Sequence, residues 1–144
     1  MNRILAIDYG DARTGVALSD LTGTLVGQAQ TLKLQGKALI TAIVELAESN
    51  QVETVVVGLP RNMDGSYGFR AEITQAFAEK LRETGLNIVM RDERLTTVSA
   101  HNIINERDVG RGKRKSSKSN VDAVAASLIL QDYLDFRNSS VTPM

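Results

Sequence analysis

The chain of 144 residues is long enough for one ordinary hydrophobic core, and its 42% hydrophobic and 24% charged composition is that of a globular domain. Seventeen basic residues balance seventeen acidic ones, which excludes a protein that coats nucleic acid by bulk charge but leaves room for a local basic groove. Cysteine is absent, so disulfides and thiolate metal centres are excluded; with no signal-peptide pattern and no apolar run of membrane-spanning length, the expected location is the cytoplasm.

In "RILAIDYGDARTG", four apolar residues, Ile4 to Ile7, lead directly into Asp8. A strand over 3–8 this apolar is buried on both faces, and a lone carboxylate at its end requires a partner. "TGVALSD" (14–20) and "TLVGQAQTL" (24–32) predict two more strands, and their short connections favour an antiparallel meander. Residues 36–50 carry Leu39, Ile40, Ile43, Leu46 and Ala47 at the spacing of an amphipathic helix. The β-branched run 53–60 reads as a buried parallel strand, 66–84 as a second helix with Ile73, Phe77 and Leu81 four apart, and 86–90 as a third buried strand. A short helix follows over 97–106, capped by Thr96 or Thr97. Next come a polar basic stretch, 107–120, and a helix over 121–136 that is apolar on nearly every face; 138–144 read as a frayed tail. This order predicts one α/β domain over 1–137, with a mixed five-stranded sheet (an antiparallel meander plus two parallel strands) and helices on both faces. In such sheets the functional site lies beyond the carboxyl ends of the parallel strands.

Asp8 lies at one such end, and Asp92 and Glu93 at another. Asp122 falls in the predicted first turn of the most apolar helix, where interaction with the helix dipole alone would stabilise it. Each acid has a bland explanation by itself: a turn-forming carboxylate, a solvated strand end, a helix terminus. Together they suit a hard, oxygen-liganded ion such as Mg²⁺ or Mn²⁺, because the chain has no cysteine and only one histidine. Two such ions about 3.5–4 Å apart stabilise both the attacking and the leaving oxygen of a phosphodiester displacement. Asp92 and Glu93 point to opposite faces of an extended strand, so only one of them can face Asp8, and spacing alone leaves the choice open.

"IDYGDARTGVALSD", "VVVGLPRNMDGS", "RDERLTT" and "VDAVAASLILQDYL" together resemble the four signature blocks of the YqgF (RuvX) family, over about residues 3–135. That resemblance implies a ribonuclease H-like fold related to the resolvase RuvC. It further implies a metal-dependent nuclease acting in 5′-end maturation of 16S ribosomal RNA, with Asp8, Glu93 and Asp122 as the catalytic, metal-holding triad. The implied mechanism is attack on a phosphodiester by metal-activated water, with a second ion stabilising the leaving 3′ oxygen. Arg61 and Asn62 become candidate substrate contacts by the same resemblance.

Other substrate contacts follow from the residues. Arg13, in the hairpin after Asp8, is placed to reach a phosphate or to cap the turn, and Arg94 to pair with an acid or clamp the substrate backbone. Six of the twelve residues from Arg107 to Lys118 are Lys or Arg, among them Arg111, Lys113, Arg114, Lys115 and Lys118. A flexible basic loop beside Asp122 suits tracking of a nucleic-acid backbone rather than base stacking, since it holds no aromatic residue. Gly58, Gly65 and Ser66 either open a helix N-terminus onto a phosphate or form a plain strand-to-helix turn. Tyr67 and Phe69 are the aromatics retained as candidate base contacts; His101, Tyr9 and Tyr133 read as structural.

Three competing functions remain. An Asp-x-Gly hairpin also begins the phosphate loop of actin-like ATPases, but those need a second such domain that this chain lacks. A four-way DNA junction resolvase keeps the fold and requires a homodimer with two sites, whereas RNA cleavage is open to a monomer and to action on a ribosomal particle. A non-catalytic nucleic-acid-binding module would gain nothing from three acids facing a polyanion.

Overall fold

The computed structural model describes residues 3–62, 64–92 and 114–141, with the side chains of 121–138 in the last segment. Its elements are β1 (Arg3–Asp8), β2 (Thr14–Ser19), β3 (Val26–Leu32), α1 (Gly36–Ser49), β4 (Val52–Leu59), α2 (Phe69–Glu83), β5 (Ile88–Asp92) and α3 (Arg114–Val141). The helix expected over 97–106 lies outside the described residues.

The five strands form one sheet in the order β3-β2-β1-β4-β5. β1, β2 and β3 are an antiparallel meander, and β1-β4 and β4-β5 are parallel pairs. This is the mixed sheet that the sequence predicts, except that β5 is an edge strand in which only Ile88 is buried, not the buried strand its apolar run suggests. β1 lies at its centre, which explains why every residue from Ile4 to Ile7 is apolar and buried.

Alternation along the strands builds two cores. Leu5, Ile7, Val16, Leu18, Val55, Val57 and Ile88 point toward α1 and α2, meeting Leu39, Ile43, Phe77 and Leu81. Ile4, Ala6, Ala17 and Val56 point to the other face and meet Ala126, Ile129, Leu130 and Leu134 of α3. The side chains on the α3 face are smaller, so this helix packs close to the sheet.

α3 differs from its predicted span of 121–136. It starts seven residues earlier and reaches Val141, so the backbone of 138–141 is helical where the sequence suggests a frayed tail. Gly112 is the last helix breaker before it, and neither Gly nor Pro occurs between Arg114 and Val141. A helix nucleated on the buried Ala125–Leu134 stripe therefore extends through polar residues of adequate propensity. Nor is it buried all round: Asp132 and Asp135 stand on an outer face. Among the described residues no helix is long and apolar enough to cross a membrane.

Candidate active site

Asp8 continues the Ile4–Ala6 series of β1 and so faces α3, half-buried at the strand's carboxyl end. Across the antiparallel pairing it lies opposite Gly15 of β2. At Gly15 the backbone of α3 itself comes against the sheet. A Cβ there would stand 2.0 Å from the Asp122 carbonyl oxygen and 3.2 Å from the Ala123 nitrogen. Only a residue without a side chain admits the helix backbone this closely. Two acids more than a hundred positions apart in the chain thus come to one face of the sheet around one glycine.

Asp122 lies eight residues after the start of α3, in its third turn. The helix-dipole explanation for this acid therefore fails, since that effect is confined to the first turn. Its Oδ2 instead accepts a hydrogen bond of 3.0 Å from Nε of Arg13, in an ion pair whose side chains are 34% and 22% exposed for Arg13 and Asp122. Arg13 ends the turn joining β1 to β2, and Gly10 lets that turn close: a Cβ there would lie 2.2 Å from the Arg13 carbonyl oxygen.

The same turn is fastened from the other side by α2. Arg70, in the first turn of that helix, donates to the Tyr9 carbonyl at 2.8 Å and pairs with Asp11. The Tyr9 ring stacks on Phe77, with centroids 4.0 Å apart and planes inclined by 9°, which confirms Tyr9 as a packing residue. Sequence reasoning missed Arg70, because a single cation in "YGFRAE" carries no periodic signal; it also missed Gly15, although a glycine inside a strand pattern does signal close backbone approach.

At the end of β5, Asp92 takes the opposite face from Asp8. It follows Ile88 and Met90 toward α1 and α2, accepts 2.8 Å from Arg61, and lies 3.4 Å from the Tyr67 hydroxyl. The neighbouring Glu93 lies outside the described residues, as do Arg94, Arg111 and Lys113. Arg114, Lys115 and Lys118 have their backbone in the first turns of α3, not in a flexible loop.

Arg61 also donates to the Gly65 carbonyl at 2.8 Å and lies over the Tyr67 ring at 4.7 Å. Asn62 closes the turn, its backbone nitrogen bonding the Ser66 carbonyl at 2.8 Å and its own carbonyl accepting from Gly65 at 2.9 Å. Because α2 begins at Phe69, Gly65 and Ser66 stand in this turn and Gly58 in β4. Gly65 and Ser66 therefore precede the helix instead of forming its first turn. Tyr67 and Phe69 are 53% and 74% exposed beside it. On the α3 face of β5, Arg91 pairs with Asp132 at 2.6 Å and covers the Phe136 ring, fastening α3 to that strand.

Among the described residues no three His, Cys, Asp or Glu side chains gather as a metal cluster. The two acids that do converge offer only carboxylate oxygens, a donor set that fits Mg²⁺ or Mn²⁺ and not a softer ion.

Comparison with known proteins adds an independent line. The model of the RuvX family, described as a Holliday junction resolvase, matches residues 2–136. A protein of Halothermothrix orenii, named as a candidate pre-16S rRNA nuclease, is 44% identical over 138 residues, covering 94% of this chain and 96% of its own. One of the same name from Staphylococcus epidermidis is 43% identical over 139 residues, covering 93% and 96%. Among solved structures, T. thermophilus RuvC in complex with a Holliday junction substrate superposes with a TM-score of 0.59 over the whole of both chains at 12% identity. At that identity the likeness establishes the fold, which is the ribonuclease H-like one.

Proposed function

The chain belongs to the RuvX family of nucleases, and we propose that it hydrolyses phosphodiester bonds where Asp8 and Asp122 converge, with the 5′ region of precursor 16S ribosomal RNA as its substrate. The convergence of two acids on the α3 face, enforced by Gly15, carries the reading. Two carboxylates drawn together beneath a polyanionic substrate repel both each other and it, and the single Arg13 guanidinium on Asp122 offsets only one of the two charges, so the arrangement favours a further cation between them.

In this reading Asp8, Asp122 and Glu93 hold Mg²⁺ or Mn²⁺. Glu93 is preferred to Asp92 because Asp92 belongs to the opposite face and is engaged by Arg61. When bound, the ion supplies a Lewis acid for activating water and stabilising the leaving oxygen. The protein's own groups orient and neutralise the substrate. Arg13 is next to the acids, Arg61 and Asn62 shape the β4–α2 turn, and Arg94 and the basic residues Arg111, Lys113, Arg114, Lys115 and Lys118 follow the nucleic-acid backbone. The catalytic unit is residues 1–137, acting in the cytoplasm, alone or on a ribosomal particle.

A second reading is cleavage of a four-way DNA junction, favoured by the description of the matching family. It requires a homodimer that presents two sites. Both readings are tested by incubating a precursor 16S 5′-end RNA and a four-way DNA junction with wild type and Asp8→Asn, in Mg²⁺ and in Mn²⁺. RNA cleavage lost in the variant supports the proposal. Cleavage of the junction alone transfers the assignment to the resolvase, and cleavage of either substrate by Asp8→Asn at the wild-type rate refutes the site.

A further inference from the structure

Arg13 raises a question that the proposed function leaves unanswered. Its Nε donates at 3.0 Å to Oδ2 of Asp122, one of the two carboxylate oxygens this residue would offer a metal. A guanidinium and a divalent cation cannot both occupy that oxygen at such distances without strong repulsion. From this geometry we infer that Arg13 is an internal counter-ion of Asp122, which a metal ion displaces from that carboxylate and which then turns to a substrate phosphate. The inference rests on the metal reading above and assigns Arg13 a second state.

The local architecture supports an exchange of this kind. Arg13 ends a turn with three residues held elsewhere: Tyr9 and Asp11 by Arg70, and Gly10 by a hydrogen bond from its backbone nitrogen to the Thr14 hydroxyl at 3.4 Å. Its backbone is therefore positioned, while its side chain, one-third exposed, retains a path to solvent. Asp122, on a rigid helix pressed against Gly15, has no such freedom. Of the two partners the arginine has the longer and more exposed side chain, and so the longer path away from the contact. Its departure delivers a planar, two-pronged cation to the mouth of the site at the moment the acids are neutralised, and such a group suits phosphate oxygens. Metal binding and phosphate binding are then coupled through one side chain.

Two measurements on the full chain without nucleic acid test this. The first is calorimetric titration with Mn²⁺ of wild type, Arg13→Gln, Arg13→Lys, Arg82→Gln and Asp122→Asn. Arg82 pairs with Glu79 in the last turns of α2, at the opposite end of the sheet from Asp8, and controls for the loss of one positive charge. Arg13→Gln is expected to bind Mn²⁺ about three- to ten-fold more tightly than wild type, on the order of one partly exposed charged hydrogen bond. Arg82→Gln should match wild type, and Arg13→Lys should fall between. The second measurement follows the Arg13 Nε–H resonance by nuclear magnetic resonance during titration with Mg²⁺, and it should move toward the solvent-exposed position as the site fills.

Unchanged or weaker Mn²⁺ binding by Arg13→Gln, equal gains in Arg13→Gln and Arg82→Gln, or an Nε–H resonance that stays fixed at saturating Mg²⁺ would each overturn the inference. Asp122→Asn separates its failure from that of the underlying reading. If Asp122→Asn loses Mn²⁺ while Arg13→Gln gains nothing, the metal site stands and the counter-ion role falls. If Asp122→Asn binds as wild type does, the metal site itself is misplaced and both fall.

Discussion

Replacing Gly15 with alanine adds one methyl group and should affect both stability and the site. The new Cβ would lie 2.0 Å from the Asp122 carbonyl oxygen and 2.5 Å from its carbon. Both neighbours are backbone atoms of a helix, so no side chain can rotate away. Non-bonded carbon and oxygen settle at well over 3 Å, and α3 must therefore retreat from β2 by roughly 1 Å. Forced overpacking of this kind costs about 1–3 kcal/mol. At a denaturant slope of about 2 kcal/mol per molar, the urea midpoint should drop by roughly 0.5–1.5 M. A displacement of 1 Å between Asp8 and Asp122 should reduce cleavage by about a hundredfold, even where the variant is fully folded. Two controls separate these effects. Gly27→Ala meets its nearest atoms at 3.3 Å, an accommodation of a few tenths of an ångström, and should cost less than about 1 kcal/mol. Ile43→Val, in the core between α1 and the sheet, should lose about 0.5–1.5 kcal/mol while cleaving normally. Wild-type stability and activity in Gly15→Ala would refute the claim that this glycine sets the spacing of the acids.

Other expectations follow from the same contacts. Phe77→Ala removes a buried ring stacked on Tyr9 and should destabilise by about 3–5 kcal/mol in urea unfolding, and a loss below 1 kcal/mol would mean the stack is not a structural tie. The Arg91–Asp132 pair is partly exposed, so a double-mutant cycle should give a coupling energy under about 1 kcal/mol despite its short distance. Asp20 accepts hydrogen bonds from the backbone nitrogens of Thr24 and Leu25, and these hold its carboxyl below its ordinary value of 3.8. Since the folded value is the lower, this stabilisation is present above 3.8 and lost as pH falls through the folded value; Asp20→Asn should show a flatter acid limb in unfolding against pH, and an unchanged limb would refute it. Neutralising Lys115 and Lys118 together should reduce the slope of log affinity against log salt by roughly 0.7 per residue for single-stranded RNA, a change that binding isotherms at several salt concentrations would detect.

The sheet was legible because its strands carried two kinds of signal. β1 and β4 are continuous apolar runs, and the short connections around β2 leave antiparallel pairing as the economical choice. The span of α3 was not legible at its amino end, where "RKSSKSN" looks like a loop by charge and polarity. Nothing in that stretch breaks a helix, and packing of residues ten positions further on decides the matter. The shift has a functional consequence. Read from position 121, Asp122 is an ordinary first-turn acid; read from 114, it is a mid-helix carboxylate that has lost that support and is paired with Arg13. The tie from Arg70 to Tyr9 and Asp11 could not be foreseen, because it joins residues about sixty positions apart through contacts without spacing or motif.

The fold also explains why a strand so apolar should end in an acid. β1 must be apolar because it is covered on both faces and flanked by β2 and β4. That central position brings its last residue within reach of both the meander and α3, which no edge strand could offer. The choice of face is equally constrained. An acid one residue earlier would replace Ile7 and point into the core formed with Leu39, Ile43 and Phe77, where an ionised group costs several kcal/mol. At position 8 the alternation returns to the α3 side, beyond the last buried pair, where Gly15 leaves room and Asp122 and Arg13 supply polar company. The register of a single hairpin thus places the carboxylate at the edge of the core instead of inside it, and moving Asp8 by one residue in either direction would remove it from the site.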